Sequence, residues 1–164
     1  MATETGTAVE ALNDTGKQWA AGAAGGFLGS IPFGLMMMTV MAPPLLEIVV
    51  PAMYGIEGPA LAAGWAIHQF HGVVLGLGYV ALVRFGGFAD TAKTLSGSLG
   101  LAVAYGVLTT LVLAVLVMPI WLSVVGFPNA PPFPNFGIPA TIVSTIGHVI
   151  YAIPVAVGYA LVSE

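Results

Sequence analysis

Residues 95–117, LSGSLGLAVAYGVLTTLVLAVLV, contain no charged side chain in 23 consecutive positions. A helix needs about 20 predominantly apolar residues to cross the hydrocarbon core of a bilayer. A transmembrane β-strand would instead alternate polar and apolar residues, because one of its faces points into the barrel. The stretch therefore predicts a transmembrane helix, which we expect to end just before Pro119 because proline cannot donate a helical hydrogen bond.

Three further stretches of similar length and character lie at residues 19–42, 59–83 and 139–162. The whole chain of 164 residues is 58% hydrophobic and only 6% charged, whereas a soluble domain carries about 25% charged residues. The composition therefore predicts an all-α integral membrane protein with four transmembrane helices.

The few positive charges predict how the chain is oriented. Lys17 precedes the first span, and Arg84 and Lys93 lie between the second and third spans. Basic residues concentrate on the cytoplasmic side of membrane proteins, so we expect a multi-pass protein of the plasma membrane with both termini in the cytoplasm. Residues 1–16 are polar and acidic and lack the features of a signal peptide. They predict a flexible cytoplasmic tail.

The chain also matches itself at an offset of 80 residues. The pattern PA-x7-H-x9-GY occurs twice, first around His68 and then around His148. This match predicts a tandem duplication with repeats at 17–88 and 89–164, each containing two transmembrane helices. The first repeat has an apolar outer segment at the membrane interface, and the second has a longer, proline-rich outer loop at 127–137. Two such repeats enter the membrane in the same orientation, so a pseudo-twofold axis along the membrane normal should relate them.

The repeated histidines are the main candidates for a functional site. His68 and His148 are each the ninth residue after the opening proline of their segment, which places them roughly 13 Å into a ~30 Å core. His71 lies one turn after His68, and its counterpart in the second repeat is Tyr151. We therefore predict a polar layer across the centre of the bundle, with His68 and His71 opposite His148 and Tyr151.

Such a layer permits several interpretations. The most specific one is a b-type haem held by His68 and His148, in a haem-binding or accessory subunit of a membrane electron-transfer complex. The chain has no cysteine, so a covalently attached haem is excluded. An alternative is a transition-metal site formed by His68, His71 and His148. The remaining alternatives need no cofactor: a small transporter or channel, or a structural subunit whose histidines only hydrogen-bond between helices.

Glu47 is the other unusual residue, because it is the one carboxylate in the apolar segment PPLLEIVVP. It is predicted either to reach headgroup water from an interfacial helix or to act as a ligand or proton acceptor at the outer mouth. No basic stripe for nucleic acid and no hydrolase, kinase or nucleotide-binding motif is present, so the sequence gives little reason to expect an enzyme. The expected partners are the lipid bilayer and either further copies of the chain or other membrane subunits.

Overall fold

The computed structural model of the chain describes residues 2–41 and 45–163, with side chains described for 13–41 and 45–163. Over these residues the fold is all-helical, with 80% helix and no β-strand. The elements in chain order are α1 (Ala2–Thr39), a π-helical turn (Leu45–Val49), α2 (Val50–Ala52), α3 (Leu61–Phe85), α4 (Ala89–Ala92), α5 (Leu95–Thr109), a π-helical stretch (Thr110–Val117), α6 (Met118–Val124) and α7 (Ile138–Leu161).

Four helical segments are long and apolar enough to cross a membrane. They are Asn13–Thr39, Leu61–Phe85, Leu95–Val124 and Ile138–Leu161. The prediction of an all-α chain with four helices of membrane-spanning length is therefore confirmed. Most of their ends differ from the predicted ones by one to three residues, but the first segment begins six residues earlier and the third ends seven residues later than predicted. The predicted end of the first segment, residue 42, lies outside the described residues.

The N-terminal segment differs from its prediction. The sequence predicts a flexible tail over residues 1–16, but the backbone from Ala2 onward belongs to α1. Polarity was the basis of that prediction, and polarity alone does not oppose a helix. No proline occurs before Pro32, so every backbone N–H from residue 6 to residue 31 can donate along the helix.

The third segment also continues past its predicted end. Pro119 lies in the first turn of α6, and the helix runs on to Val124. Proline has no N–H to donate to the carbonyl four residues earlier, which is that of Val115. That carbonyl instead accepts a hydrogen bond from the backbone N–H of Asn135, at 3.0 Å. The loop at 127–137 thus supplies a donor in place of the one that the proline lacks, and the helix does not have to end there.

Helix α1 packs closely against two other helices through two rows of glycine. On one side, a Cβ added at Gly26 would lie 2.2 Å from the carbonyl oxygen of Gly72 in α3. On the other side, a Cβ at Gly29 would lie 2.1 Å from the carbonyl oxygen of Tyr151 in α7. Only glycine permits helix backbones to approach this closely. Helix α1 is therefore the element on which α3 and α7 are both positioned.

Helix α5 completes the bundle by packing against α7 and reaching α3. A Cβ at Gly106 would lie 2.7 Å from the backbone nitrogen of Val149 in α7. The hydroxyl of Tyr105 donates to the carbonyl of Leu75 in α3, at 2.7 Å. The two helices of each predicted repeat are thus neighbours in space, α1 with α3 and α5 with α7. The duplication itself stays a prediction.

Replacing Gly29 with alanine should lower the free energy of unfolding by about 1–3 kcal/mol, because the added methyl overlaps the backbone of α7. Gly100 is a matched control, since it is also helical and a Cβ there meets nothing within 4 Å. Gly100→Ala should be neutral or stabilising by up to about 1 kcal/mol, through helix propensity. Thermal unfolding of the detergent-purified variants measures both changes. Equal stability of the two variants would contradict the close approach of α1 and α7.

Candidate functional site: a buried histidine layer

His68 is buried, and it hydrogen-bonds to α1. Its side chain is 7% exposed, and Nε2 lies 2.9 Å from the backbone carbonyl oxygen of Ser30. A carbonyl only accepts, so Nε2 is the donor and the tautomer of His68 is determined by this contact. The hydroxyl of Ser30 is in hydrogen-bond contact with Oε1 of Gln69. Two adjacent residues of α3, His68 and Gln69, therefore both hydrogen-bond to Ser30 of α1.

His148 is equally buried, and its partners lie on α7 and on the third span. Its side chain is 7% exposed, and Nδ1 lies 2.9 Å from the carbonyl oxygen of Ser144. Nδ1 also lies 3.1 Å from Oγ1 of Thr110, whose hydroxyl donates to the carbonyl of Gly106. Nδ1 therefore donates, and the contact with Thr110 links α7 to the first residue of the π-helical stretch.

A single phenylalanine from α1 packs against both imidazoles. The ring centroid of Phe33 lies 5.6 Å from that of His68 and 4.6 Å from that of His148. The ring also lies against the backbone of α7, since a Cβ at Gly147 would be 2.3 Å from Phe33 Cε2. We use the name histidine layer for these residues together: Ser30, Phe33, His68, Gln69, Thr110, Ser144 and His148.

Tyr151 is also buried, but its hydroxyl does not bond to a histidine. It is 2% exposed, and its hydroxyl donates to the carbonyl of Gly72 in α3, at 2.7 Å. This bond joins the two helices that carry the repeated histidines.

His71 belongs to a different cluster. Its Nε2 lies 2.5 Å from the hydroxyl oxygen of Tyr54 in the outer segment, and the ring of Tyr54 packs at 5.4 Å from that of Trp121. Partial burial raises the pKa of Tyr54 above its ordinary value, so the phenol stays protonated and can donate to Nε2. His71 therefore holds the outer segment against α3 and does not complete a layer with His148.

The three histidines of the predicted metal site do not form one cluster in the described residues, and metal binding itself stays a prediction. Within residues 13–41 and 45–163, no three His, Asp or Glu side chains come close enough together to hold a metal ion. The imidazole of His71 is engaged with Tyr54, while His68 and His148 each donate to a backbone carbonyl.

Haem binding by His68 and His148 stays a prediction. A bis-histidine haem needs a nitrogen of each imidazole directed at the iron and a flat macrocycle between the two rings. Here the phenyl ring of Phe33 packs against both imidazoles. The backbone hydrogen bond of each histidine uses one ring nitrogen. A haem between the rings would therefore need the other nitrogen of each imidazole and the space that Phe33 occupies.

Glu47 lies in the π-helical turn Leu45–Val49 and is half-buried. Its carbonyl accepts from the N–H of Ala60, at 2.9 Å. The neighbouring carbonyl of Leu46 sits against Gly64, where a Cβ would be 1.7 Å away. The turn is thus fastened to the start of α3 through its backbone. In the described residues, the carboxylate of Glu47 makes no ion pair and does not join the histidine layer.

Sequence reasoning missed a cluster of three tyrosines nearer the opposite end of the bundle. The ring of Tyr79 packs edge-on against Tyr105 at 5.3 Å and against Tyr159 at 6.3 Å. The hydroxyl of Tyr79 is buried and has no hydrogen-bond partner in the described part of the chain. The repeated Gly-Tyr pair at 78–79 and 158–159 was the signal that could have predicted the contact between Tyr79 and Tyr159.

Comparison with known protein families, with curated proteins and with solved structures gives no match for this chain.

Tyr151 and Tyr79 allow a matched test of the hydrogen bonding. Tyr151→Phe should lower the free energy of unfolding by about 0.6 kcal/mol, and by no more than about 1.7, the range for hydrogen bonds between membrane helices. Tyr79→Phe should be neutral or stabilising, because it removes a buried hydroxyl that has no partner. Thermal unfolding of both variants in one detergent measures the difference. A larger loss for Tyr79→Phe than for Tyr151→Phe would contradict the bonding described.

Proposed function

We propose that this chain is a multi-pass integral membrane protein in which the histidine layer is structural and holds the helices together without a prosthetic group. The observation that carries the proposal is the way the buried histidines are occupied. Each donates to a backbone carbonyl of the protein, and Phe33 packs against both rings. The contacts between helices are those of His68 with Ser30 of α1 and of His148 with Thr110 of the third span, and Phe33 of α1 occupies the space beside both rings.

The exposed surface of the long helices supports insertion into a bilayer. Large apolar side chains on all four segments remain exposed in the bundle, including Phe27, Leu28, Leu35, Phe70, Val74, Val103, Leu108, Ile142 and Ile146. A soluble monomer rarely exposes a contiguous apolar surface of more than a few hundred Å². Lipid is the solvent in which such a surface has no cost, since acyl chains are as apolar as leucine.

The position of the basic residues supports the proposed orientation. Lys17 is adjacent to Gln18, whose side chain accepts a hydrogen bond from Arg84. Lys93 lines the same cavity as Gln18 and Arg84. All three basic residues of the chain therefore lie at one end of the bundle, which the positive-inside rule assigns to the cytoplasm. With four spans, both termini are then cytoplasmic and the loop at 127–137 faces outward.

A structural role explains why ionisable groups are retained at this depth. A polar group inside a bilayer must find its partner within the protein, because lipid offers none. The contacts of His68 with Ser30 and of His148 with Thr110 join α3 to α1 and α7 to the third span. Each bond adds only ~0.6 kcal/mol, but it is directional. It therefore selects one rotation of each helix among several that bury similar apolar area.

The proposed insertion and orientation can be tested with single cysteines, because the chain contains none. Asn129→Cys, in the outer loop, should react with a membrane-impermeant maleimide in intact cells. Asp90→Cys should react only after the cells are opened, since it lies next to Lys93 on the proposed cytoplasmic side. Both side chains are exposed in the structure. Labelling of Asp90→Cys in intact cells would reverse the orientation, and release of the protein by alkaline carbonate would contradict insertion.

A second measurement tests the structural role of the histidines against the haem hypothesis. Protein purified after expression with haem precursor should show no Soret band. His68→Gln and His148→Asn each keep an N–H donor near the position of the native one, so both should fold with a loss within about 1 kcal/mol. A Soret band that disappears in these two variants would overturn the proposal and restore haem binding. The control is Tyr79→Phe, which alters neither histidine.

A further inference from the structure

A cavity of about 290 Å³ lies at the proposed cytoplasmic end, away from the histidine layer. It is formed where α1 passes the end of α3, the short helix α4 and the end of α7. The residues that line it are Gln18, Arg84, Phe85, Ala89, Lys93 and Tyr159. Two of the three basic residues of the chain are therefore in one cavity, although the chain as a whole carries a net charge of −4.

Arg84 is held in place at this cavity. Its Nη1 donates to Oε1 of Gln18, and Nε2 of Gln18 donates in turn to the hydroxyl of Ser163, at 3.0 Å. Arg84 is half-buried, and its side-chain partner is a neutral amide and not a carboxylate in the described residues. Its remaining N–H donors form a planar fork, a geometry that matches two oxygens of a phosphate group.

The other polar groups of the cavity are compatible with the same ligand. Lys93 contributes a second positive charge and pairs with Asp90 at 2.9 Å, where the side chains are 50% and 96% exposed. Such an exposed pair is weak and leaves the lysine able to approach an anion. Tyr159 is 1% exposed and forms part of the cavity wall. Asp90, through its pair with Lys93, is an opposing charge beside the cavity.

The rim of the cavity is apolar on the side that would face lipid. Phe85 lines the cavity and is 82% exposed, and Phe88 nearby is 42% exposed. Aromatic side chains concentrate at the level of the lipid headgroups. An anion whose remainder is apolar would therefore satisfy the basic groups and cover these rings, whereas a small soluble anion would satisfy only the basic groups.

We propose that this cavity binds the phosphate headgroup of an acidic membrane lipid, with Arg84 as the bidentate contact and Lys93 as the second charge. The inference rests on the proposed insertion of the chain in a bilayer. Basic pockets between membrane helices on the cytoplasmic side are suited to such headgroups.

The test compares binding of phosphatidylglycerol and phosphatidylcholine to the full chain in detergent, by native mass spectrometry. The wild-type protein should retain phosphatidylglycerol in preference to phosphatidylcholine. Arg84→Gln should weaken phosphatidylglycerol binding about tenfold or more, because charge-assisted hydrogen bonds are lost. Lys17→Gln is the matched control: it removes the same charge from the same end of the bundle, at a side chain that is 61% exposed and paired with Asp14. It should leave the preference intact.

An equal loss of phosphatidylglycerol binding in Lys17→Gln and Arg84→Gln would overturn the proposal, because it would indicate that the lipid is attracted to the positive charge of this end of the bundle in general. Inorganic phosphate is added as a competitor to distinguish the two sources of the anion. Displacement of the lipid by excess phosphate supports recognition of the phosphate group. Binding of inorganic phosphate without any preference between the two lipids would overturn the lipid as ligand.

Two further controls separate folding and insertion from binding. If Arg84→Gln does not fold, Lys93→Gln replaces it, and we expect it to weaken phosphatidylglycerol binding to the same extent. Arg84→Lys should retain only part of the binding, because lysine lacks the planar fork of donors. Alkaline carbonate extraction is done on the same variants. A protein that stays in the membrane but shows no lipid preference overturns this inference alone. A protein that is extracted overturns the proposed function.

Discussion

The rest of the structure depends on the close approach of α1 to both α3 and α7. Gly26 and Gly29 bring the backbone of α1 against carbonyl groups of the two other helices. Ser30 and Phe33 follow on the same helix, and this places a carbonyl beside His68 and a ring beside both imidazoles. Nearer its start, the same helix places Gln18 beside Arg84. The histidine layer and the basic cavity are thus two consequences of one packing arrangement.

The histidine layer shows why a buried ionisable group is a weak guide to chemistry. In a medium of low polarity, an imidazole must find its hydrogen-bond partners within the protein. Both histidines do so through backbone carbonyls, which are present at every residue and leave no pattern in the sequence. In a layer built for catalysis or metal ligation, we would expect a ring nitrogen of each histidine to be directed at an open space. Here Phe33 packs against both rings, which supports the proposed role of the layer in helix packing.

The two ends of the bundle differ in the kind of interaction that they offer. At the proposed outer end, Tyr54, His71 and Trp121 pack against one another and fasten the loop segment to the helices. At the proposed cytoplasmic end, Arg84 and Lys93 line a cavity with an exposed aromatic rim. The positive charges that a ligand can reach are therefore at the end that carries Arg84 and Lys93. This is why the proposed recognition of lipid is placed there and the histidines are given a structural role.

By itself the sequence determined the helical class and the four helices of membrane-spanning length, because uninterrupted apolar composition is a local property. It also indicated that His68, His148 and Tyr151 would face the interior of the bundle, since polar side chains within a membrane segment avoid lipid. Only the tertiary structure decided their partners. Phe33 and Ser30 lie more than 30 positions before His68 and are part of no distinctive sequence pattern. His71 lies only one helical turn after His68, but it hydrogen-bonds to Tyr54 and so belongs to a different cluster. The continuation of the third segment past Pro119 likewise depends on Asn135, in a loop that follows it. Contacts of this kind arise from how close two backbones can come, and that distance is a property of the assembled bundle.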